Sequence, residues 1–249
     1  MKIDVFYIPS FTETDEMFRN SIVIMIDVLR AGTSLVAALF NGAKEVIPAE
    51  SLDKAINIYS NLSKETRFLG GERNGLKPNG FNAGNSPTEY TPEAVQGKTV
   101  VLTTTNGSKI FQKAKYSKYK ISGCFANKTA VEKFVIQKIK ESPNVDYNLD
   151  ILCAGNNGNF SLEDALCAGA FVFTFTNALS INDLTDSART AMELYNLHSQ
   201  DWIEYIKSSE HSRFLYNIGF KGDVETALTL DLYPIVPIFT GISVKKYSE

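Results

Sequence analysis

The chain of 249 residues carries a formal net charge of −3, with 44% hydrophobic and 21% charged residues. This composition is typical of a globular protein with a buried core, long enough for one large domain or two small lobes. The lack of a basic excess argues against a nucleic-acid partner. Neither a secretory signal nor an apolar run of about 20 residues, the length of a membrane span, is present. Three cysteines without metal-ligand spacing favour a reducing compartment, so we expect a cytoplasmic protein.

Strand-like and helix-like segments alternate along most of the chain. Ser21–Ile26 is a continuous, β-branched apolar run, which predicts a strand buried on both faces. Further strands are predicted at 45–47, 68–69, 99–102, 120–122 and 151–153, and helices at 33–40, 51–64, 107–114, 129–140 and 162–179. The remainder is predicted to be mainly helical, ending with an extended segment at 235–239. Such β-then-α units predict a three-layer α/β/α fold with a largely parallel sheet, one domain over 1–249 with two similar lobes at about 1–120 and 121–249.

A polar, glycine-rich stretch from Gly70 to Pro92 interrupts this alternation. Loops longer than about 15 residues inside a compact domain are usually functional or disordered. This stretch is therefore a candidate for part of a binding site.

Polar and charged side chains follow the predicted strands at the point where each strand ends. The segments are Asp27–Thr33, Gly71–Gly75, Thr103–Ser108, Asn127 and Gly155–Asp164. In open parallel sheets, ligands bind at the carboxyl ends of the strands. We therefore expect these side chains to meet along one rim of the molecule.

The residue types at this rim suit a phosphate ester. Catalysis of phosphoryl transfer is mostly positioning and electrostatic stabilisation of the charged oxygens. Arginine offers bidentate donors to phosphate or sulfonate, and helix N-termini add backbone donors. Carboxylates hold Mg²⁺, which prefers oxygen ligands and keeps several waters.

Each element also has a purely structural interpretation. Asp27 caps a turn into the next helix in this alternative, and Asp164 completes a loose capping box with Ser161. Thr103–Ser108 is equally typical of strand-end threonines before an Asn-Gly turn. His211 is one of two histidines, and a lone histidine is more often structural.

Several other enzyme classes do not fit the sequence. Haloacid-dehalogenase-type phosphatases carry a second aspartate two residues after the first, where this chain has Leu29. The chain also lacks a Gly-Lys-Ser/Thr phosphate loop, a His-Glu-x-x-His zinc helix and a Gly-x-Ser-x-Gly elbow. Two histidines are too few for a histidine-rich metal site.

Taken in order, the motifs resemble those of the 2-phosphosulfolactate phosphatase family, an enzyme family of coenzyme M biosynthesis. The likeness covers nearly the whole chain, and the ordered set is far more specific than any one motif. The matching segments are Asp27–Ala31, Asn41–Ala43, Leu69–Arg73, Gly80–Phe81, Gly84–Pro87, Thr103–Gly107, Ala154–Gly155, Phe160–Asp164 and Cys167–Gly169, with His211, Gly219, Asp223, Asp231 and Val236–Pro237 in the tail.

The resemblance implies a Mg²⁺-dependent acid phosphatase that converts 2-phosphosulfolactate to sulfolactate and phosphate. On this basis we expect metal ligands at Asp27, Glu163 and Asp164, with Glu72 in reserve. We expect catalytic roles for Asp27, Arg30, Arg73 and Asn106. We expect substrate contacts from Thr33, Asn85, Ser86, Thr104, Thr105, Gly107 and Asn127.

Two mechanisms are open at this point: attack on phosphorus by a Mg²⁺-assisted water, which we favour, or by Asp27 itself. Two other functions are also open. One is hydrolysis of another 2-phospho hydroxy acid on the same fold, and the other is binding of a small anion without catalysis. The expected partners are a small anionic phosphorylated substrate and a second copy of the chain in a homodimer, without nucleic acid or membrane.

Overall fold

The computed structural model describes residues 1–9, 14–105, 110 and 113–248, and in this part of the chain nine strands form one mixed sheet. Five of its eight strand pairings are parallel, as the alternation predicts. The sheet order is β1-β7-β2-β6-β8-β9-β3-β5-β4. The strands are β1 Ile3–Phe6, β2 Ser21–Ile26, β3 Glu45–Ala49, β4 Arg67–Gly71, β5 Thr99–Thr103, β6 Tyr119–Gly123, β7 Asn148–Cys153, β8 Pro237–Phe239 and β9 Val244–Lys246.

The α-helices of the described residues include one directly after each of the strands β2, β3 and β7. They are α1 Ala31–Phe40, α2 Leu52–Ser60, α3 Pro92–Val95, α4 Lys128–Glu141, α5 Leu162–Leu179, α6 Asp186–Leu197, α7 Trp202–Lys207, α8 Glu210–Asn217 and α9 Lys221–Ala227. The predicted helix at 162–179 is confirmed at both ends, and α1 begins two residues earlier than predicted. The helix predicted at 107–114 lies largely outside the described residues.

Strand β2 separates the two main hydrophobic cores. Ile22, Ile24 and Ile26 pack into one core together with α4 and α5, while Val23 and Met25 pack into the other with α1. The alternation of side chains along a strand places consecutive residues on opposite faces, so β2 is buried throughout. Helices therefore cover both faces of the sheet, and the predicted α/β architecture is confirmed.

The sheet contains two parallel groups of strands. One group is β1, β7, β2 and β6, and the other is β3, β5 and β4. The antiparallel β8–β9 hairpin lies between them and pairs with β6 on one side and β3 on the other. The rule that parallel strands end at one edge thus applies within each group only. The division into two lobes stays a prediction.

Helices α5 and α6 pack unusually closely at Gly169. A Cβ atom at this position would lie 2.0 Å from the Ala191 carbonyl oxygen, so only glycine permits this approach. Ser161 caps the N-terminus of helix α5, and its Oγ accepts a hydrogen bond from the Asp164 backbone N–H. The first turn of α5 therefore presents Glu163 and Asp164 at the end of β7.

No helix in the described ranges is both long and apolar enough to cross a membrane.

Candidate active site

An open cavity of about 300 Å³ lies where four strands end. Two of these strands, β2 and β7, belong to one parallel group, and β4 and β5 belong to the other. Six residues expected at the site line this cavity: Asp27, Arg30, Glu72, Asn85, Thr104 and Thr105. Helix α8 contributes further lining residues, among them His211 and Phe214. The structure therefore brings the segments after these strands together, although the two groups do not share one parallel sheet edge.

Asp27 lies at the turn between β2 and α1. Its Oδ1 atom accepts a hydrogen bond from the Ala31 N–H at 3.0 Å, and its carbonyl accepts one from Gly32 at 2.9 Å. A Cβ atom at position 32 would lie 2.4 Å from that carbonyl oxygen, so the turn requires glycine. Burial raises the pKa of Asp27 to about 6. The nearby charges of Glu72 and Glu163 also act to raise this pKa, while His211 and the Ala31 hydrogen bond oppose the shift.

Asp164 supports the cavity from behind. Its two carboxylate oxygens accept hydrogen bonds from the Val28 N–H at 2.9 Å and the Gly155 N–H at 3.1 Å. Asp164 thereby joins the turn after β2 to the loop after β7. Its pKa lies well above the ordinary range because of burial and the neighbouring charges of Asp27 and Glu163. It does not line the cavity.

Glu72 joins the loops that follow β4 and β5. Its Oε2 atom accepts a hydrogen bond from the Gly75 N–H at 2.8 Å, and Oε1 accepts one from the Thr105 N–H at 2.7 Å. Both oxygens of this expected reserve ligand are therefore engaged by the backbone. This arrangement fixes Thr105 and the 72–75 loop beside the cavity.

His211 lines the cavity and contacts the buried side chain of Glu163, which lies behind it and does not line the cavity. Nδ1 of His211 lies 2.8 Å from Oε1 of Glu163, whose side chain is 2% exposed. The ring of His211 lines the cavity that also contains Asp27. Local sequence gives no sign of this pairing, and it favours a structural role for His211. Only the tertiary structure brings His211 of α8 to Glu163 of α5.

Arg30 is held at the cavity wall by residues from two other segments, the loop after β4 and the start of α9. Its Nη1 atom donates to Oδ2 of Asp223 at 2.6 Å, and Nη2 donates to the Gly75 carbonyl at 2.6 Å. The guanidinium carbon lies 4.2 Å from the centre of the Phe220 ring. Asp223 also accepts a hydrogen bond from Ser86 Oγ at 2.6 Å. Ser86 thus contacts Arg30's partner and does not line the cavity.

Three other expected site residues lie outside the cavity lining. Arg73 donates to the Glu72 carbonyl and to Thr103 Oγ1. Thr33 donates to the Val28 carbonyl. The Asn127 amide accepts from the Cys124 N–H and donates to the carbonyls of Ser122 and Ile235. These contacts are structural in character. The expected roles of Asn106 and Gly107 fall outside the described residues.

Among the described lining residues, Asp27 and Asn85 each offer a side-chain oxygen that could bind a metal ion. Within the described ranges, no group of three His, Cys, Asp or Glu side chains is placed to hold a metal ion. Mg²⁺ does not need such a group, because it is usually bound by one or two carboxylates together with waters and substrate phosphate. Oδ2 of Asp27 accepts no hydrogen bond from the described residues, and Asn85 Oδ1 is buried without a partner there. These two oxygens fit the ligand preferences of Mg²⁺.

Comparison with known proteins identifies the family. The family model described as 2-phosphosulpholactate phosphatase matches residues 6–241. Similar proteins include one from Thermotoga maritima, 41% identical over 90% of this chain and 91% of the relative. Others come from Caldicellulosiruptor saccharolyticus, 38% identical over 94% and 95%, and Caldanaerobacter subterraneus, 37% identical over 90% and 89%. All three are named probable 2-phosphosulfolactate phosphatase. The chain therefore belongs to the 2-phosphosulfolactate phosphatase family.

Proposed function

We propose that this protein is a Mg²⁺-dependent phosphoric monoester hydrolase that converts 2-phosphosulfolactate to 3-sulfolactate and phosphate. The family and the names of its relatives support the reaction. The observation that carries the proposal is a single cavity lined by the buried carboxylate Asp27, the guanidinium of Arg30 and the imidazole of His211. Carboxylate and cationic groups in one cavity match a substrate whose transferred group is a polyanion.

Asp27 and Asn85 would hold Mg²⁺ through Oδ2 and Oδ1, with waters and the substrate phosphate completing the coordination. When bound, the ion neutralises charge on the phosphoryl oxygens and polarises the phosphorus centre. Asp27 is suited to this role because burial and its acidic neighbours disfavour its charge in the absence of a cation. The proposed ligands differ from the full set expected from sequence, since Glu72 and Asp164 use both oxygens to accept from backbone N–H groups.

His211, oriented by Glu163, provides the proton transfers. The contact with Glu163 engages Nδ1 of the imidazole, which leaves Nε2 as the ring atom for a proton from water. The water oxygen then bonds to phosphorus while the bond from phosphorus to the C2 oxygen breaks. The proton held on Nε2 passes to that departing oxygen, so no charge is left on the alcohol. This route favours attack by water over attack by Asp27.

Phosphate release from 2-phosphosulfolactate, measured with Mg²⁺ and after treatment with a chelator, tests the proposal. We expect turnover that disappears with chelation and returns with added Mg²⁺. The Asp27→Asn variant should bind little Mg²⁺ and release almost no phosphate. Turnover that is unchanged by chelation, or retained in Asp27→Asn, would contradict the metal assignment.

A panel of phosphorylated hydroxy acids tests the substrate. We expect 2-phosphosulfolactate to be hydrolysed with a higher kcat/KM than 2-phospholactate, which lacks the sulfonate. A clear preference for a compound without sulfonate would reassign the substrate within the same reaction class. Anion binding without phosphate release in the presence of any divalent metal would instead indicate a non-catalytic binding protein.

We also propose a cytoplasmic location, which the three free, buried cysteines support. The homodimer expected from sequence stays a prediction.

A further inference from the structure

Asp223 lies behind the cavity wall and contacts two residues from distant segments. It belongs to the first turn of α9 and is 4% exposed. One of its carboxylate oxygens accepts from Arg30 and the other from Ser86, each at 2.6 Å. The pair with Arg30 links residues 193 positions apart in the chain. Asp223 does not itself line the cavity.

The guanidinium of Arg30 is fixed on two edges and one face. Asp223 and the Gly75 carbonyl each take one of its five N–H donors, and the Phe220 ring covers one face at 4.2 Å. Arg30 is itself one of the residues that line the cavity. A guanidinium held in this way loses little conformational freedom when an anion binds to it.

The ion pair has no obvious value for stability or for attracting anions. Replacing buried ion pairs by apolar groups is often neutral or stabilising, because desolvation offsets the Coulomb attraction. A negative charge at 2.6 Å also weakens the positive field that Arg30 presents to an anionic substrate. The remaining benefit of Asp223 is the orientation of Arg30.

We infer that Asp223 is a positioning residue that holds Arg30 in the orientation that binds an anionic group of the substrate. The inference builds on the proposed function, in which the cavity takes a multiply charged phosphate ester. Ser86 and Phe220 serve the same end, Ser86 by fixing the second oxygen of Asp223 and Phe220 by covering the guanidinium face.

Binding of 3-sulfolactate and of inorganic phosphate, measured by calorimetry in the presence of Mg²⁺, tests this role. Charge alone predicts tighter anion binding after Asp223→Ala, since one negative charge is removed. Positioning predicts weaker binding, by roughly tenfold or more in Kd. Asp223→Asn keeps one acceptor oxygen and should fall between Asp223→Ala and the natural protein. Unchanged or tighter binding in Asp223→Ala would overturn the inference.

Asp231→Ala is the matched control. Both oxygens of Asp231 also accept hydrogen bonds, from the backbone N–H and the hydroxyl of Thr129, but Thr129, unlike Arg30, does not line the cavity. This variant removes the same charge and should leave the Kd values unchanged. Ser86→Ala is a milder variant that keeps the Arg30–Asp223 charges, and we expect a weaker but measurable loss of binding. It keeps the test decisive should Asp223→Ala fail to fold.

A double-mutant cycle separates positioning from general damage to the fold. In the Arg30→Met background, Asp223→Ala should produce no further loss of anion binding, because its effect passes through Arg30. Additive losses would contradict the inference. If the protein bound either anion but released no phosphate from the substrate, the proposed reaction would be contradicted. The double-mutant cycle would still test the role of Asp223 in anion binding. If the natural protein bound neither anion, there would be no ligand for which Arg30 needs to be oriented. The inference would then fail.

Discussion

Nδ1 of His211 lies 2.8 Å from Oε1 of Glu163, although 48 residues separate them. This contact orients the imidazole at the cavity wall. We predict that His211→Gln lowers kcat by roughly 100-fold or more, the usual contribution of a positioned acid–base group. Glu163→Gln should lower kcat less, because the imidazole remains but loses its carboxylate partner. Steady-state phosphate release measures both effects.

His198 supplies the control for His211. It is the other of the two histidines. Its ring stacks on Tyr205 and contacts Asp201, and it does not line the cavity. His198→Gln should keep the natural kcat. Equal losses in the two histidine variants would show that His211 acts through folding rather than chemistry.

We predict that Asp27→Asn loses activity while gaining stability at pH 8 without divalent cation. The pKa of Asp27 is raised to about 6 in the folded protein, mainly by burial, so its ionisation there opposes folding. Protonated Asp27 therefore stabilises the folded protein relative to ionised Asp27. This contribution is complete below the pKa of the unfolded state, near 4, and is lost as the pH rises through 6. The Asn variant carries no such cost and should be more stable at pH 8 by about 3 kcal/mol.

Urea denaturation at pH 4 and pH 8 checks this prediction. The two proteins should have similar unfolding free energies at pH 4, where Asp27 is protonated in the folded state. Added Mg²⁺ should stabilise the natural protein at pH 8 and have little effect on Asp27→Asn. A variant that is less stable at pH 8 would contradict the electrostatic interpretation.

We predict that Gly71→Ala destabilises the fold and disturbs the cavity. Gly71 ends β4 with φ +145°, and a Cβ atom there would lie 2.1 Å from the Thr103 carbonyl oxygen. The clash is with the backbone of β5 and should cost about 3 kcal/mol. Because Glu72 is the next residue, its hydrogen bonds to Gly75 and Thr105 should weaken as well.

Gly80→Ala provides the comparison for Gly71→Ala. Gly80 also has a positive φ, +81°, but a Cβ atom there would meet no heavy atom within 4 Å beyond its chain neighbours. Only the backbone penalty of about 1 kcal/mol should appear in its unfolding free energy. Similar losses in both variants would refute the steric argument for Gly71.

Asp150 gives a test of pH-dependent stability away from the cavity. It lies in β7 beside Asp4 of β1, and burial raises its pKa to about 6, with Asp4 adding to the shift. The neighbouring Ser21 hydroxyl and the charge of Lys2 oppose the shift. Protonated Asp150 thus stabilises the fold at low pH, and this contribution is lost as the pH rises through 6.

We predict that Asp150→Asn reduces the loss of unfolding free energy between pH 4 and pH 7 by roughly 2 kcal/mol. Denaturant titrations at both pH values measure this difference. Asp146→Asn is the control, because the side chain of Asp146 is 83% exposed. An identical pH dependence in Asp150→Asn and the natural protein would show that Asp150 is not the group responsible.

Local pattern alone determined most of the segments that become strands and helices. Ser21–Ile26 has the pattern of a strand buried on both faces, and Ser161 marks the N-cap of the helix 162–179. Strands β1 and β9 were not predicted, since they are short and β9 contains two lysines. The segments that carry polar residues were also predictable, because they follow apolar runs.

Tertiary structure alone decided which polar residues reach the cavity. Asp27, Asp164 and Asn127 all look like residues at strand ends, yet Asp27 lines the cavity while the other two bind backbone groups. His211 and Asp223 follow no strand, so no local rule places them near the site. The two parallel strand groups are also separated by an antiparallel hairpin, which no sequence period reveals. Whether a side chain faces a ligand or a neighbouring loop depends on how distant elements pack, and that information is not present in any short segment.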